Sequence, residues 1–104
     1  MSDQDFLRAF RLRVRLARMR LNLSQEEAAE RVGLPLVTYQ VLEAQRSTRT
    51  NPSLLTVMAL SKHLEISVTE LLATPTPSEL SMAFPVGKRA RRRKNDASAS
   101  REPA

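Results

Sequence analysis

Residues 23–43 are L-S-Q-E-E-A-A-E-R-V-G-L-P-L-V-T-Y-Q-V-L-E, a stretch that predicts two short helices joined by a tight turn. Ser24 and Glu27 have the spacing of a capping box, in which each side chain bonds the backbone amide of the other residue. Gly33 favours the left-handed conformation that commonly ends a helix. Pro35 lacks an amide hydrogen, which a first helical turn does not need, so the next helix is expected to begin directly after it.

A long amphipathic helix is predicted before this stretch, over residues 5–23. Apolar residues recur there every three or four positions and therefore share one face of a helix. They are Phe6, Phe10, Val14, Ala17 and Leu21. The other faces carry arginines that either meet solvent or contact phosphate groups. These are Arg8, Arg11, Arg13, Arg15, Arg18 and Arg20.

Two further helices are predicted after the central stretch. The fourth begins with Asn51 as its cap and Pro52 as its first residue. Its inward stripe is formed by Leu54, Val57, Leu60 and Leu64. Ser67 opens a short fifth helix by the capping-box spacing. The sequence thus predicts an all-α, compact five-helix domain over residues 1–73, in which the third helix spans about residues 36–44.

Residues 74–104 have the composition of a disordered linker and tail, rich in Pro, Ser and Thr and then in basic residues. A basic cluster in the tail offers contacts to DNA, although a targeting signal, RNA contact or plain solvation uses the same composition. It consists of Lys88, Arg89, Arg91, Arg92, Arg93 and Lys94. An alternation of apolar residues precedes it and suggests a short strand that docks on a partner, or simply an apolar linker. These residues are Leu80, Met82, Phe84 and Val86.

Composition excludes several classes of protein. The chain has no cysteine, so disulfides and thiolate metal sites are excluded. Its formal net charge of +6 suits a polyanionic partner. No apolar run approaches the about 20 residues that span a bilayer, so a cytoplasmic protein is expected. The single histidine, His63, has no catalytic or metal-binding arrangement around it, so we expect no enzyme activity, no cofactor and no metal.

Several motifs resemble the phage-repressor, or Xre/Cro, helix-turn-helix family of bacterial transcriptional regulators. They are L-S-Q-E-E-A-A-E-R-V-G-L (Leu23 to Leu34), T-Y-Q-V-L-E (Thr38 to Glu43), N-P-S-L (Asn51 to Leu54) and I-S-V-T-E-L-L (Ile66 to Leu72). The resemblance covers roughly residues 10–73 and implies a lambda-repressor-like fold that binds double-stranded DNA. It also suggests a homodimer on a two-fold site, because one short helix contacts too few base pairs to be specific. Met58 and His63, with the fifth helix, are a candidate dimer surface.

The resemblance implies roles for individual residues. Gln25 matches the glutamine that meets a phosphate at the start of the second helix, or is otherwise an ordinary exposed residue. Arg18 and Glu43 match an ion pair that orients the recognition helix, an architectural role. Positions that hold the two helices at their crossing angle are occupied by Ala29, Val32, Gly33, Tyr39 and Leu42.

The recognition helix departs from the usual base-contacting chemistry. Leu36, Val37, Gln40 and Val41 are expected to face the major groove, with Thr38 near the backbone. Only Gln40 is a conventional base-contacting residue, suited to adenine, whereas the aliphatic side chains suit thymine methyl groups. The loop that follows is unusually long for the family and offers phosphate contacts, or is merely solvated. Its candidate residues are Arg46, Ser47 and Arg49.

The function expected is therefore a sequence-specific DNA-binding regulator, more in keeping with a repressor than an activator. A first alternative on the same fold is an antitoxin-like protein whose tail or apolar stripe at residues 80–86 binds a second protein. A second alternative is an interaction module without DNA recognition, because an exposed apolar helix face also suits a protein partner.

Overall fold

The computed structural model describes residues 2–45 and 51–83, and all regular structure in these segments is helical. Its helices are α1 (Asp3–Arg20), α2 (Gln25–Val32), α3 (Leu36–Val41), α4 (Leu54–Leu64), α5 (Val68–Leu72) and α6 (Pro77–Ala83). The predicted all-α class is confirmed, and a sixth helix lies beyond the five that were predicted. No helix in the described part of the chain is long and apolar enough to cross a membrane.

The predicted start and end of α2 are confirmed by its hydrogen bonds. The Ser24 hydroxyl accepts from the Glu27 amide at 3.0 Å, and the Glu27 carboxylate accepts from the Ser24 amide at 2.8 Å. Gly33 ends the helix with a φ of 89°, a left-handed conformation that costs glycine little. These bonds satisfy helix-end groups locally, which is why the sequence alone located α2.

The start of α4 differs from the prediction. Its cap is Ser53, whose hydroxyl accepts from the Thr56 amide at 3.1 Å, and Asn51 and Pro52 precede the helix. Leu54 is therefore the first helical residue, and its side chain is 70% exposed. The prediction that Leu54 faces inward is wrong, while the other three predicted inward residues are buried. Those three are Val57, Leu60 and Leu64.

One hydrophobic core joins α1 to α5. Its buried members come from all five helices and from the turns between them: Phe10, Val14, Ala17, Ala28, Ala29, Val32, Tyr39, Leu42, Val57, Leu60, Leu64, Ile66 and Leu71. Helix α1 contributes three of its five predicted inward residues, whereas Phe6 near the N-terminus is 42% exposed and Leu21 is half-buried. Burial of these side chains is the main favourable term in the stability of so small a domain.

A second face of α1 is covered by α6. The Thr76 hydroxyl accepts from the Glu79 amide at 3.1 Å, and the Glu79 carboxylate accepts from the Thr76 amide at 3.0 Å, which forms a further capping box. The prediction of a disordered linker is therefore wrong for residues 77–83, and Leu80 and Met82 lie in a helix rather than a strand. Phe84 and the rest of the predicted tail lie outside the described residues.

Arg13 connects α1 to both C-terminal helices. Its guanidinium makes a two-pronged ion pair with Glu79, at 2.7 Å from Nε and 2.6 Å from Nη2. The same group donates to the carbonyl oxygens of Leu71, Ala73 and Thr74 at 3.2, 2.7 and 3.3 Å. Because these carbonyls lie in and just after the last turn of α5, one side chain caps that helix and holds α6.

Two of the six arginines of α1 are buried, which differs from the prediction of a face that meets solvent or phosphate. Arg13 is 8% exposed because of the contacts just described, and Arg11 is 1% exposed. Nε and Nη1 of Arg11 have no hydrogen-bond partner among the described residues. Burial accordingly lowers the pKa of Arg11.

We predict that the ion pair of α6 makes stability depend on pH. Hydrogen bonds from Arg13 and then from the Thr76 amide hold the pKa of Glu79 at about 2, below the ordinary 4.5. Because the unfolded chain binds this proton more readily, the contribution is complete above pH 4.5 and is lost as pH falls towards 2. Glu79→Gln should therefore lower the free energy of unfolding by about 1–2 kcal/mol at pH 7, a discounted value for a partly exposed pair.

Urea unfolding followed by circular dichroism at several pH values between 7 and 2 measures this difference. The difference in free energy of unfolding between the native chain and Glu79→Gln should decrease as the pH falls from 7 towards 2. Glu30→Gln, which changes an exposed carboxylate on α2, is the matched control and should show no such gap. A difference in free energy of unfolding between the native chain and Glu79→Gln that is equally large at pH 7 and pH 2 would contradict the prediction.

Candidate nucleic-acid interface

Helices α2 and α3 pack against each other across the turn at Gly33. Ala29 and Val32 on α2 and Tyr39 on α3 are buried between them and the core, and Leu42 directly follows α3. Short side chains on α2 allow close approach, while the buried Tyr39 ring sets the distance of α3 from the core. This is the arrangement of a helix-turn-helix, in which the second helix is presented at the surface.

A buried carboxylate holds α3 in place. Glu43, two residues beyond the end of α3, is 4% exposed and accepts from Arg18 Nε at 2.7 Å and Nη2 at 3.0 Å. Its carboxylate also accepts a short hydrogen bond from the Tyr39 hydroxyl and a longer one, of 3.3 Å, from Gln25 Nε2. Arg18 donates in addition to the Leu23 carbonyl at 2.8 Å. The pair that the resemblance implied is thus present, within a network that joins α1, α2 and α3.

The electrostatics of this network keep its donors protonated. The hydrogen bonds from Arg18 to Glu43 raise the pKa of the Arg18 guanidinium. Burial, with the Glu43 carboxylate beside the phenol, raises the pKa of Tyr39. Both side chains therefore remain donors to Glu43 at neutral pH.

Gln25 and Gln40 extend the network to the surface. The Gln40 amide Nε2 donates to Gln25 Oε1 at 3.2 Å, and Gln25 Nε2 in turn donates to Glu43. Both polar ends of the Gln25 side chain therefore bond within the protein. Gln40, the expected partner of adenine, is held towards α2 by one of its two amide hydrogens.

The outward face of α3 is largely apolar. Val37 is 72% exposed, Gln40 and Thr38 are exposed, and Val41 is half-buried. Residues 37, 40 and 41 share one helical face, whereas Leu36 is half-buried and packs against the core. Of the five residues predicted to face the groove or its edge, the structure thus brings four to the surface of α3 and turns Leu36 largely inward.

A polar cleft of about 320 Å³ lies beside α3. It is lined by Arg15 and Arg18 of α1, by Gln25 and Gln40, and by Glu43. Arg15 is exposed there, whereas Arg18 is committed to Glu43. Arg15 was one of six similar arginines in the sequence, and its spacing of three residues from Arg18 is the signal that places it on this side of α1.

The first turn of α2 opens towards the same cleft. The capping box occupies the Glu27 amide, and the Ala28 amide donates to the Ser24 carbonyl at 2.9 Å. The amides of Gln25 and Glu26 come before these in the helix and have no bonded partner in the described part of the chain. Such amides, at the positive end of a helix, suit a phosphate oxygen.

Other predicted contact residues lie outside the described residues. These are Arg46, Ser47 and Arg49 in the loop and Lys88, Arg89, Arg91, Arg92, Arg93 and Lys94 in the tail. Their contacts with DNA stay predictions.

A family model described as helix-turn-helix matches residues 14–71, more than half of the chain. The chain thus belongs to the helix-turn-helix class of DNA-binding regulators, and within it to the Xre or lambda-repressor-like family. The resemblance inferred from the sequence motifs is confirmed. The match ends within α5, so α6 lies beyond the region that the family model describes. No curated protein and no solved structure shows a significant match to the chain.

We predict that loss of the Glu43 charge destabilises the whole domain. Glu43→Gln leaves the largely buried Arg18 guanidinium without its counter-ion, which should cost about 3–5 kcal/mol in free energy of unfolding. That is a large share of the total stability of about 5–15 kcal/mol of ordinary domains. Urea unfolding measures the loss directly.

The matched variant replaces both members of the pair, as Arg18→Met with Glu43→Leu. Because no buried charge is then left alone, most of the lost stability should return. A loss below about 1 kcal/mol for Glu43→Gln, the size of a surface pair, would show that the network does not hold α3.

Proposed function

We propose that this protein is a sequence-specific DNA-binding repressor that acts in the cytoplasm on an operator-like duplex. The observation that carries the proposal is the α2–α3 unit, whose second helix presents Val37 and Gln40 outwards while Glu43 anchors it from behind. A helix held in this way fits the major groove of B-DNA, which is about 12 Å wide.

The surroundings of α3 favour contacts with the DNA backbone. Arg15 and the first turn of α2 lie on one side of α3, around the polar cleft. With α3 in the groove, the Gln25 amide and the Arg15 guanidinium meet phosphate oxygens of one strand. Such contacts set the register of the protein without selecting a sequence, and they leave selection to α3.

Repression requires only that the protein occupies its DNA site. A protein that covers promoter DNA excludes polymerase without any further interaction surface, whereas activation requires an additional productive contact. The loop residues Arg46, Ser47 and Arg49 and the basic cluster of the tail, from Lys88 to Lys94, add phosphate contacts in this proposal.

The proposed active form is a homodimer, since the six residues of α3 span too few base pairs for specificity. The α4 patch, formed by Leu54, Leu55 and Met58, offers a surface for a second copy. These side chains are 70%, 77% and 52% exposed and lie together at the start of α4. His63 is half-buried and so adds less to this surface than the sequence suggested.

Selection of bound duplexes from a random pool at near-physiological salt tests the proposed function. We expect enrichment of a palindromic site. Arg15→Gln should weaken binding to selected and random duplexes alike, and it should reduce the slope of log affinity against log salt by about 0.9, the value for one phosphate contact.

Arg31→Gln is the matched control, because Arg31 is an exposed arginine at the opposite end of α2. It should leave the salt slope nearly unchanged. Failure to enrich any sequence would refute the proposal of sequence-specific DNA binding, and co-purification of a stable protein partner would then favour the antitoxin-like alternative.

We predict that the α4 patch mediates dimerisation. Leu55→Glu places a charge in the middle of the patch, and because the side chain is 77% exposed the monomer should remain folded. Sedimentation velocity without DNA should show the dimer dissociation constant rising at least about tenfold, as expected when a charge is buried unpaired. Met82→Glu, at a position 60% exposed on α6, should leave dimerisation unchanged. Equal dimer dissociation constants for the native protein, Leu55→Glu and Met82→Glu would contradict the assignment of the α4 patch as the dimer surface.

A further inference from the structure

The surface of α3 lacks the side chains that usually distinguish bases. Its six residues, Leu36–Val41, include no charged side chain. Direct recognition in the major groove mostly relies on arginine or lysine for guanine and on asparagine or glutamine for adenine. On α3 only Gln40 belongs to that group.

The side chain of Gln40 is exposed, but its amide group is directed towards Gln25 on α2. Its Nε2 donates to Gln25 Oε1, and Gln25 donates onward to the buried Glu43 carboxylate. A bidentate contact with adenine requires both the amide hydrogen and the amide oxygen to point at the base edge. The bond to Gln25 leaves one amide hydrogen and the amide oxygen of Gln40 for a ligand, but it restricts the orientation of the amide, so Gln40 also positions α3 against α2.

An apolar groove lies between α3 and the start of α4. Val37, Thr38 and Val41 of α3 line it on one side, and Pro52 and Thr56 line it on the other. Its volume is about 450 Å³, and it is open to solvent along α3. Val37 stands at its rim with 72% of its surface exposed.

The only apolar group that a base pair presents in the major groove is the C5 methyl group of thymine. The apolar groove and the polar cleft that contains Arg15 both border α3, because Val37 and Val41 line the groove and Gln40 of the same helix lines the cleft. A duplex whose backbone occupies that cleft brings its base edges to Val37 and Val41, and this argues for DNA rather than a protein as the occupant of the groove.

We infer that Val37 and Val41 select DNA sequence through the C5 methyl groups of pyrimidines. This inference rests on the proposed function and assigns the chemical group that α3 recognises. The selected half-site accordingly contains thymines at the positions that face residues 37 and 41, and Gln40 contributes less to sequence preference than Val37 does.

Replacement of single thymines by deoxyuridine in the selected duplex tests the inference, because only the methyl group is removed. Each critical replacement should weaken binding by about threefold to fivefold, the effect of withdrawing one methyl-sized group from apolar contact. Replacing the same thymine by cytosine should weaken binding further, and 5-methylcytosine should recover part of that loss.

Val37→Ser is the decisive variant, since it removes both γ-methyl groups from a side chain that is 72% exposed. It should abolish the discrimination between thymine and uracil at one position of the half-site. Met82→Ser, which changes an exposed apolar side chain on α6, should retain that discrimination. Circular dichroism checks that each variant is folded.

Three outcomes overturn the inference. Equal binding of thymine and uracil duplexes to a clearly enriched site would refute methyl recognition and leave the proposed function standing. Discrimination that persists unchanged at every position in Val37→Ser would show that Val37 does not recognise the methyl group. Absence of any enriched site would refute the inference and the proposed function together.

Discussion

The buried carboxylate of Glu43 is the constraint on which the rest of the interface depends. It accepts hydrogen bonds from Arg18, Tyr39 and Gln25, which belong to α1, α3 and α2 respectively. A charge at 4% exposure is tolerated only when its partners are in place, so the network favours a single relative arrangement of these helices. The hydrophobic core determines that α3 is packed, and Glu43 determines how it is oriented.

This constraint also limits what the surface of α3 can recognise. Gln25 donates to Glu43, and Gln40 donates to Gln25. Part of the hydrogen-bonding capacity of both side-chain amides is therefore used within the protein and not by a ligand. Exposed aliphatic side chains remain for contact with the groove, of which Val37 is the most prominent. In the proposed function, stability and specificity are therefore linked: the polar residues of the α2–α3 unit support the helix, and the apolar ones distinguish sequences.

The sequence predicts what local signals encode and misses what distant contacts decide. Ser24 and Gly33 mark the ends of α2 through bonds within a few residues, so α2 was located correctly. The same signal at Thr76 starts α6, but the polar, proline-containing composition around it indicated disorder. Burial of Arg13 depends on Glu79, 66 residues away, and no spacing rule anticipates it. Likewise, the resemblance predicted the pair with Glu43, whereas the engagement of Gln40 by α2 required the structure.

The central claim is that the outward face of α3 enters the major groove. Methyl-labelled protein, titrated with the selected duplex and followed by nuclear magnetic resonance, tests it most directly. We expect intermolecular nuclear Overhauser effects between the Val37 methyl groups and base protons, including thymine C5 methyl protons, while the resonances of the Leu16 methyl groups on α1 stay unchanged. Contacts of the DNA with Leu16 or with α6, and none with Val37, would contradict it.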